Sequence, residues 1–196
     1  MTNALFIIDV QNDFTEGGAL GVDGGAAVAA GVTELLRKHP DRYDVVFASR
    51  DWHDDDNDNG GHFATDEAPD FVETWPRHCV AGTDGADYHR ALDDNLIDVH
   101  VRKGQGKPAY SLFEGVTTEN ETVDQALDRL GVTTVDVVGI ATDYCVLASA
   151  LDALESGRRV RVLTDLVAGV APQSSLAALE RLEAAGVTLS TSQGES

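Results

Sequence analysis

The sequence lacks several features that would place the chain in a membrane or outside the cell. No apolar stretch in its 196 residues approaches the roughly 20 residues that a membrane-spanning helix needs. The N-terminal segment MTNALFIIDVQNDF has no basic region, and its apolar run is interrupted at Asp9, so we expect no secretory leader. The two cysteines do not make a disulfide framework. We therefore expect a cytoplasmic protein in a reducing compartment.

Basic residues are also scarce. The chain has 14 lysine and arginine residues against 34 acidic residues, which gives a net charge of -20. Such a surface repels the phosphates of nucleic acids and anionic membranes, so we expect neither as a partner. We interpret the acidity as a solubility feature or an adaptation to high salt, rather than a patch for a basic partner. A homo-oligomer is compatible with this composition.

What the sequence does contain is a regular alternation of short apolar runs and helical patterns. The predicted strands, the second with its exit loop, cover 4–10, 43–53, 95–103, 133–141, 158–168 and 188–192. The predicted helices cover 24–40, 118–132, 144–157 and 172–187. This alternation favours an α/β fold, in which a mostly parallel six-stranded sheet is covered by helices on both faces. With no linker and no internal repeat, residues 1–196 are predicted to form a single three-layer domain.

Chemically useful side chains stand where the predicted strands end. These strand-end residues are Asp9, Asp51, His53, Lys103 and Cys145. The carboxyl ends of parallel strands meet at one edge of a sheet, which is where open α/β sheets bind ligands. We therefore expect these residues to lie close together.

Cys145 follows the stretch GIATDY and falls in the predicted first turn of a helix. A helix N-terminus stabilises a thiolate, so the pKa of this thiol is expected to fall, and the free N–H groups there suit an oxyanion. Asp9 is a candidate general base, and Lys103 between them would stabilise the thiolate. The alternatives are a cysteine buried as a small hydrophobic residue, a carboxylate that caps a turn and a solvated lysine.

The segment 54–84 is rich in Asp, Gly, Asn and Pro, and a loop of this length is either functional or disordered. Together with the preceding residues it supplies Asp51, His53, His62 and His78. One carboxylate and three imidazoles suit Zn, Fe or Mn, although histidines in loops are often simply exposed. Cys79 is either a core residue or a neighbour of this site.

The stretch GQGKPA, residues 104–109, superficially resembles a dinucleotide-binding loop. It contains Pro108 and no clear helix follows it, whereas phosphate binding needs a helix N-terminus directly after the loop. We interpret it as a false match.

Six stretches, in this order, resemble the nicotinamidase/pyrazinamidase branch of the isochorismatase-like cysteine hydrolases: FIIDVQNDF, RDWH, GGHF, WPRHCVAGT, KGQGKPAYSLFEG and GIATDYCV. The resemblance covers nearly the whole chain. It implies a catalytic triad of Asp9, Lys103 and Cys145. It implies metal ligands at Asp51, His53, His62 and His78. The segment between His53 and His62 is longer and more acidic than the family pattern.

The same resemblance implies further features of the site. The peptide bond between Ile140 and Ala141 would be cis, and the N–H groups of Ala141 and Cys145 would hold an oxyanion. The aromatic walls of the pocket would be Phe14, Trp75 and Tyr110.

The activity implied by the resemblance is hydrolysis of nicotinamide to nicotinate and ammonia through a cysteine thioester, with pyrazinamide as a further substrate. One divalent transition metal would orient the ring, with Zn favoured over Fe or Mn. Two alternatives stay open at this point. The chain could be a related amidohydrolase acting on another small amide or carbamoyl compound, or a metal-bound water could replace the thiol as nucleophile.

Overall fold

Seven strands form one sheet in the computed structural model, which describes residues 2–194. The strands are β1 (Thr2–Ile8), β2 (Val45–Asp51), β3 (Val99–Lys103), β4 (Val116–Thr117), β5 (Val132–Ile140), β6 (Arg159–Ala168) and β7 (Thr188–Ser190). Their order across the sheet is β4-β3-β2-β1-β5-β6-β7. All neighbouring pairs are parallel except β3 and β4, so six strands share one carboxyl edge.

Four helices cover the two faces of the sheet. They are α1 (Gly25–Lys38), α2 (Val123–Leu130), α3 (Leu147–Glu155) and α4 (Pro172–Ala185). Buried side chains of α2, α3 and α4 pack in one cluster with residues such as Phe6 and Val137. Those of α1 pack in a second cluster with Leu5 and Val138, on the other face. Because neighbouring residues of a strand point to opposite faces, each central strand contributes to both clusters. The predicted three-layer α/β architecture is thus confirmed.

The prediction of six strands is wrong by one. The additional strand, β4, has two residues and pairs antiparallel with β3 at the edge of the sheet. A strand of two residues, one of them the exposed Val116, cannot show the alternation that identifies strands in a sequence.

Helix α2 begins later than predicted. Thr118 is outside the helix, and Thr122 is the N-cap: its hydroxyl accepts from the Gln125 N–H while the Gln125 side chain accepts from the Thr122 N–H. Such a reciprocal capping box defines the first turn of the helix. Among residues 2–194, no helix is long and apolar enough to cross a membrane.

Candidate active site

The carboxyl edge of the sheet brings Asp9, Lys103 and Cys145 together below the surface. Asp9 follows β1 and Lys103 ends β3; both are fully buried, and Cys145 is 8% exposed. The Lys103 Nζ atom lies 2.9 Å from Asp9 Oδ2 and 3.7 Å from Cys145 Sγ. Asp9 adopts a left-handed φ of 48°, and its Oδ1 atom accepts a 2.7 Å hydrogen bond from the Ser49 hydroxyl. The carboxylate, the ammonium and the thiol therefore form one contiguous group.

Lys103 also contacts a second carboxylate. Its Nζ atom pairs with Oδ1 of Asp51, the last residue of β2, and donates to the Ala109 carbonyl at 3.3 Å. Burial alone would lower the pKa of Lys103, but the charges of Asp51 and Asp9 raise it well above its usual range. The lysine is therefore held as an ammonium ion that is shared by two buried carboxylates.

The two carboxyl groups differ in the direction of their pKa shifts. Burial raises the pKa of Asp9; Lys103 opposes this shift and Asp51 adds to it. Burial also acts to raise the pKa of Asp51, but Lys103 and the neighbouring His53 outweigh it and hold that pKa well below its usual range. Two acids with opposite shifts can take separate tasks, one exchanging a proton and the other staying ionised.

The expectation of a lowered pKa for Cys145 is wrong for this arrangement. Burial raises the pKa of the thiol well above its usual range; Lys103 opposes the shift, and Asp9 and Asp51 add to it. A single ammonium faces two carboxylates, so the group around the thiol is not cationic. The thiol consequently needs a base beside it, and Asp9 is the neighbouring carboxyl whose pKa is raised.

A tight turn between β5 and α3 carries the thiol. The Ile140–Ala141 peptide bond is cis. Residues Thr142–Val146 then form one turn of π-helix, so Cys145 precedes the regular helix rather than lying in its first α-turn. The Asp143 carboxylate accepts from the N–H groups of Val170 (3.0 Å) and Ala171 (3.3 Å), which ties the turn to the segment before α4.

Three imidazoles cluster beside Asp51. The candidate ligand atoms of His53, His62 and His78 all lie within 4.8 Å of one another. Asp51 Oδ2 lies 3.7 Å from Nε2 of His53 and 3.8 Å from Nε2 of His78. Asp51 thus joins the two groups, because its Oδ1 atom pairs with Lys103 while its Oδ2 atom faces the histidines. The other three histidines, His39, His89 and His100, do not belong to this cluster.

The chemistry of this cluster fits a transition-metal ion. His53 Nδ1 contacts the Gly104 carbonyl at 2.8 Å and His78 Nδ1 contacts the Pro76 carbonyl at 2.7 Å, which fixes both rings. The buried His53 Nε2 and His62 Nδ1 atoms have no hydrogen-bond partner among the described residues. Burial, with help from His53 and His78, lowers the pKa of His62 to about 4, so its ring stays neutral and able to ligate a metal near pH 7.

The stretch GQGKPA packs against the histidine cluster and lacks the features of a phosphate-binding loop. Gly104 has a φ of 85°, and a Cβ atom there would lie 2.6 Å from Cε1 of His53. Glycine is therefore required both by the backbone conformation and by the imidazole packed against it. A turn follows, and the next helical residues are the short 3₁₀ segment Leu112–Glu114, so the stretch has no helix N-terminus directly after it.

A cavity of about 410 Å³ opens onto both groups. Asp51, His62, His78 and Cys145 line it together with Ala141. Its aromatic walls include the three expected residues and two that the sequence did not single out: Phe14, Trp75, Tyr110, Phe71 and Tyr144. Its described lining contains no arginine and no lysine side chain, because Lys103 is sealed beneath it. The cavity is thus suited to a neutral aromatic molecule.

A stack of cationic and aromatic side chains supports the strand ends from outside. The Arg50 guanidinium lies 4.5 Å from the centre of the Tyr88 ring and 4.7 Å from that of Trp52. The Arg102 guanidinium lies 4.4 Å from the centre of the Trp52 ring. Asp51, His53 and Lys103, which alternate with Arg50, Trp52 and Arg102 in the sequence, belong to the polar group on the inner side. The stack therefore joins β2 and β3 directly behind the residues that form the site.

Gln11, which no sequence motif singled out, holds the backbone of Asp51 on both sides. Its Oε1 atom accepts from the Asp51 N–H at 2.8 Å, and its Nε2 atom donates to the carbonyls of Asp51 and Ala86, each at 2.9 Å. Gln11 is fully buried. The available signal was a polar residue two positions after Asp9 in the stretch DVQNDF.

Replacing Gln11 with leucine is expected to destabilise the protein by about 2–3 kcal/mol, because it leaves buried backbone groups without partners. The free energy of unfolding in urea measures the effect. Gln173→Leu, at an exposed position of α4, is the matched control and should change stability by less than about 0.5 kcal/mol. Equal stability of the two variants would contradict the importance of these hydrogen bonds.

The fold and the site together define the class of protein. The sequence profile of the isochorismatase domain matches residues 3–194, so the chain belongs to the isochorismatase family. Among its relatives is the nicotinamidase/pyrazinamidase of Mycobacterium tuberculosis, which is 47% identical over 186 residues, covering 95% of this chain and 97% of that protein.

Two solved structures have the same architecture. The pyrazinamidase of Pyrococcus horikoshii in complex with zinc has a TM-score of 0.81 and 35% identity, covering 97% of this chain and 99% of that one. PnC1 from L. infantum in complex with nicotinate has a TM-score of 0.83 and 35% identity, covering 97% of this chain and 93% of that one.

Proposed function

We propose that the chain is an amidohydrolase that converts nicotinamide to nicotinate and ammonia through a thioester on Cys145, and that pyrazinamide is a further substrate. The observation that carries the proposal is one cavity that exposes the thiol and the histidine cluster to the same bound molecule. The nicotinamidase and pyrazinamidase relatives support the choice of substrate.

Asp9 and Cys145 are the residues to which we assign the proton transfers and the bond making. Asp9 takes the thiol proton as the sulfur attacks the amide carbon, and the backbone N–H groups of Ala141 and Cys145 hold the resulting oxyanion. Asp9 then gives the proton to the leaving ammonia as the C–N bond breaks. It afterwards takes a proton from the water that hydrolyses the thioester and returns it to the Cys145 sulfur as the C–S bond breaks. Lys103 stays charged throughout, which keeps Asp9 in place and offsets the negative charge that develops nearby.

Asp51, His53, His62 and His78 would hold one divalent metal ion, for which we favour Zn over Fe or Mn. The zinc complex of the Pyrococcus horikoshii pyrazinamidase supports this choice. When bound, the ion supplies a Lewis acid that can take the pyridine nitrogen of the substrate and so orient the ring. Phe14, Trp75 and Tyr110 would enclose the ring; the indole N–H of Trp75 donates to the Tyr110 hydroxyl at 3.3 Å, which fixes two of these walls relative to each other.

The lining of the cavity also favours nicotinamide over other amides that members of this family could hydrolyse. A carbamoyl compound bearing a carboxylate would need a cationic side chain beside it, and the described lining offers none. The substrate is therefore proposed to be a neutral aromatic amide.

Removal of the metal should lower ammonia release from nicotinamide on the order of 10²-fold, because the ring would lose its orientation relative to the thiol. The rate is measured before and after treatment with a chelator, and again after addition of zinc, which should restore it. Benzamide, which has the same amide but no ring nitrogen, is the matched control: its slow hydrolysis should not depend on the metal. If the metal-replete protein releases no ammonia from nicotinamide, the proposed substrate is wrong.

We also propose that residues 1–196 form one domain located in the cytoplasm. A single sheet that runs from residue 2 to residue 190 supports the first point. The second is supported by Cys79 and Cys145, which are both buried free thiols, since the proposed nucleophile needs a reducing compartment.

A further inference from the structure

The turn that carries the proposed nucleophile is held from outside the cavity by one carboxylate. Asp143 belongs to the π-helical turn Thr142–Val146 and lies two residues before the thiol. Its Oδ1 atom accepts from the Val170 N–H at 3.0 Å, and its Oδ2 atom accepts from the Ala171 N–H at 3.3 Å. The Ser174 hydroxyl donates to the same Oδ2 atom at 2.5 Å. Three donors from the start of α4 and the segment before it therefore converge on one side chain.

Helix α4 and the turn also meet through close packing at Gly169. A Cβ atom on Gly169 would lie 1.9 Å from Oγ of Ser175, in the first turn of α4, and 3.2 Å from Cβ of Thr142. Thr142 is itself buried, with 2% of its surface exposed. The two segments therefore leave no room for a methyl group between them, and a shift of residues 169–171 is transmitted to the turn.

Both segments form walls of the cavity that exposes the thiol, whereas Asp143 does not. Val170 contributes to the lining, and so do three residues of the turn, Ala141, Tyr144 and Cys145. Asp143 is half-buried and is not among the described lining residues. A bound substrate consequently meets the groups that Asp143 holds in place, but not the carboxylate itself.

The carboxylate matters because all three of these partners of Asp143 are donors. Its Oδ1 atom binds one N–H group, and its Oδ2 atom binds the second N–H group and the hydroxyl. An asparagine would keep one acceptor oxygen but would present an NH₂ group to the partners of the other, and an alanine would keep no acceptor. Loss of the carboxylate should therefore loosen the contact in two steps, partly with asparagine and fully with alanine.

We propose that Asp143 is a positioning residue for the amide hydrolysis. It holds the turn so that the Cys145 thiol and the N–H groups of Ala141 and Cys145 keep the spacing that the tetrahedral intermediate needs. The inference rests on the proposed function, which assigns the oxyanion to these N–H groups. Preorganised donors stabilise charge that develops in the transition state, so their displacement mainly slows the chemical step. Binding of the planar amide depends on the ring-enclosing walls and the histidine cluster, which other segments supply.

Steady-state ammonia release from nicotinamide tests the inference. Asp143→Ala should lower kcat on the order of 10²-fold, the loss expected when reacting groups are misplaced by about 1 Å, while KM changes by less than about threefold. Asp143→Asn should lose less of kcat. Asp165→Ala is the matched control, because Asp165 is exposed, accepts from the N–H (2.7 Å) and the hydroxyl (2.6 Å) of Ser192 and is not among the described lining residues of the cavity. Its kcat should stay nearly unchanged.

Titration with pyridine-3-carbaldehyde and with pyridine-3-methanol distinguishes positioning from a general structural role. The Cys145 sulfur adds to the aldehyde carbon, the electron pair of the C=O bond moves to the oxygen, and the thiol proton passes to Asp9. The adduct thus places an oxyanion where the intermediate has one. Aldehyde affinity should fall in Asp143→Ala in parallel with kcat. The alcohol has the same ring but no electrophilic carbon, so its affinity should stay unchanged.

Two results would overturn the inference: an unchanged kcat in Asp143→Ala, or equal losses of affinity for the aldehyde and the alcohol. If circular dichroism shows that Asp143→Ala does not fold, Asp143→Asn takes its place in the same measurements, and an unchanged kcat and aldehyde affinity in that variant would count against the role of Asp143. Absence of ammonia release from the unaltered protein would contradict the proposed function instead, and the two titrations would still test the role of Asp143.

Discussion

Replacing Cys145 with alanine is expected to lower the rate of nicotinamide hydrolysis by roughly 10⁴-fold or more, which is typical of the loss of a nucleophile. The residue lines the cavity and its sulfur lies 3.7 Å from Lys103 Nζ. Alanine removes the sulfur without filling the cavity, so nicotinamide should still bind. Steady-state ammonia release measures the first effect, and titration with nicotinamide measures the second.

Cys79→Ala is the matched control, because Cys79 is the other buried thiol and does not line the cavity. It should keep most of the activity. Full activity of Cys145→Ala would show that a metal-bound water, and not the thiol, attacks the amide. Loss of activity in both variants together with loss of folded protein would instead indicate a structural effect, and circular dichroism of each variant distinguishes that result.

Replacing Lys103 with methionine should both stop the reaction and destabilise the protein by about 3–5 kcal/mol at neutral pH. The variant keeps the length of the side chain and removes the ammonium ion that Asp9 and Asp51 share. Two buried carboxylates would then lack a cation. Urea unfolding measures the loss of stability, and Lys107→Met, at an exposed position in the following loop, should leave stability nearly unchanged.

The pH dependence of this loss follows from the direction of the pKa shift of Asp51. With Lys103 present, the folded-state pKa of Asp51 lies below its unfolded value. Ionised Asp51 therefore stabilises the folded protein above the unfolded pKa, and this stabilisation is lost as the pH falls through the folded pKa. Without Lys103, burial raises the folded pKa of Asp51 above its unfolded value. The destabilisation caused by the buried, ionised carboxylate is then largest at neutral pH and fades in acid. The stability difference between the two proteins should therefore shrink from pH 7 to pH 4. A constant difference would contradict this account.

The fold was largely predictable because its elements have clear signals. Long apolar runs produce β1 and β5, and the sequence pattern also places their polar ends at one edge. The missed strand β4 depends on pairing with β3, which two residues cannot signal. Thr118 and Thr122 both look like helix caps in the sequence, because each has Glu or Gln three residues later. The structure forms the capping box at Thr122.

The site was predictable as a set of residues but not as an electrostatic arrangement. Sequence position indicated that Asp9, Lys103 and Cys145 would meet, and the structure places them in contact. Sequence position did not indicate that Asp51 would use one oxygen for Lys103 and the other for the histidines. That shared carboxylate is also one reason why the expected fall in the thiol pKa is reversed. Such effects depend on distances across four chain segments, which no local pattern encodes.

The stack formed by Arg50, Trp52, Tyr88 and Arg102 has a consequence for how this part of the chain can vary. Along the extended segment 50–53, residues alternate between the stack and the polar group, so two sets of requirements are interleaved at successive positions. A single inserted or deleted residue would exchange the two faces and direct every side chain to the wrong side. Substitutions that keep the polarity of each face should be tolerated, whereas changes of length should be confined to the exposed loop that follows.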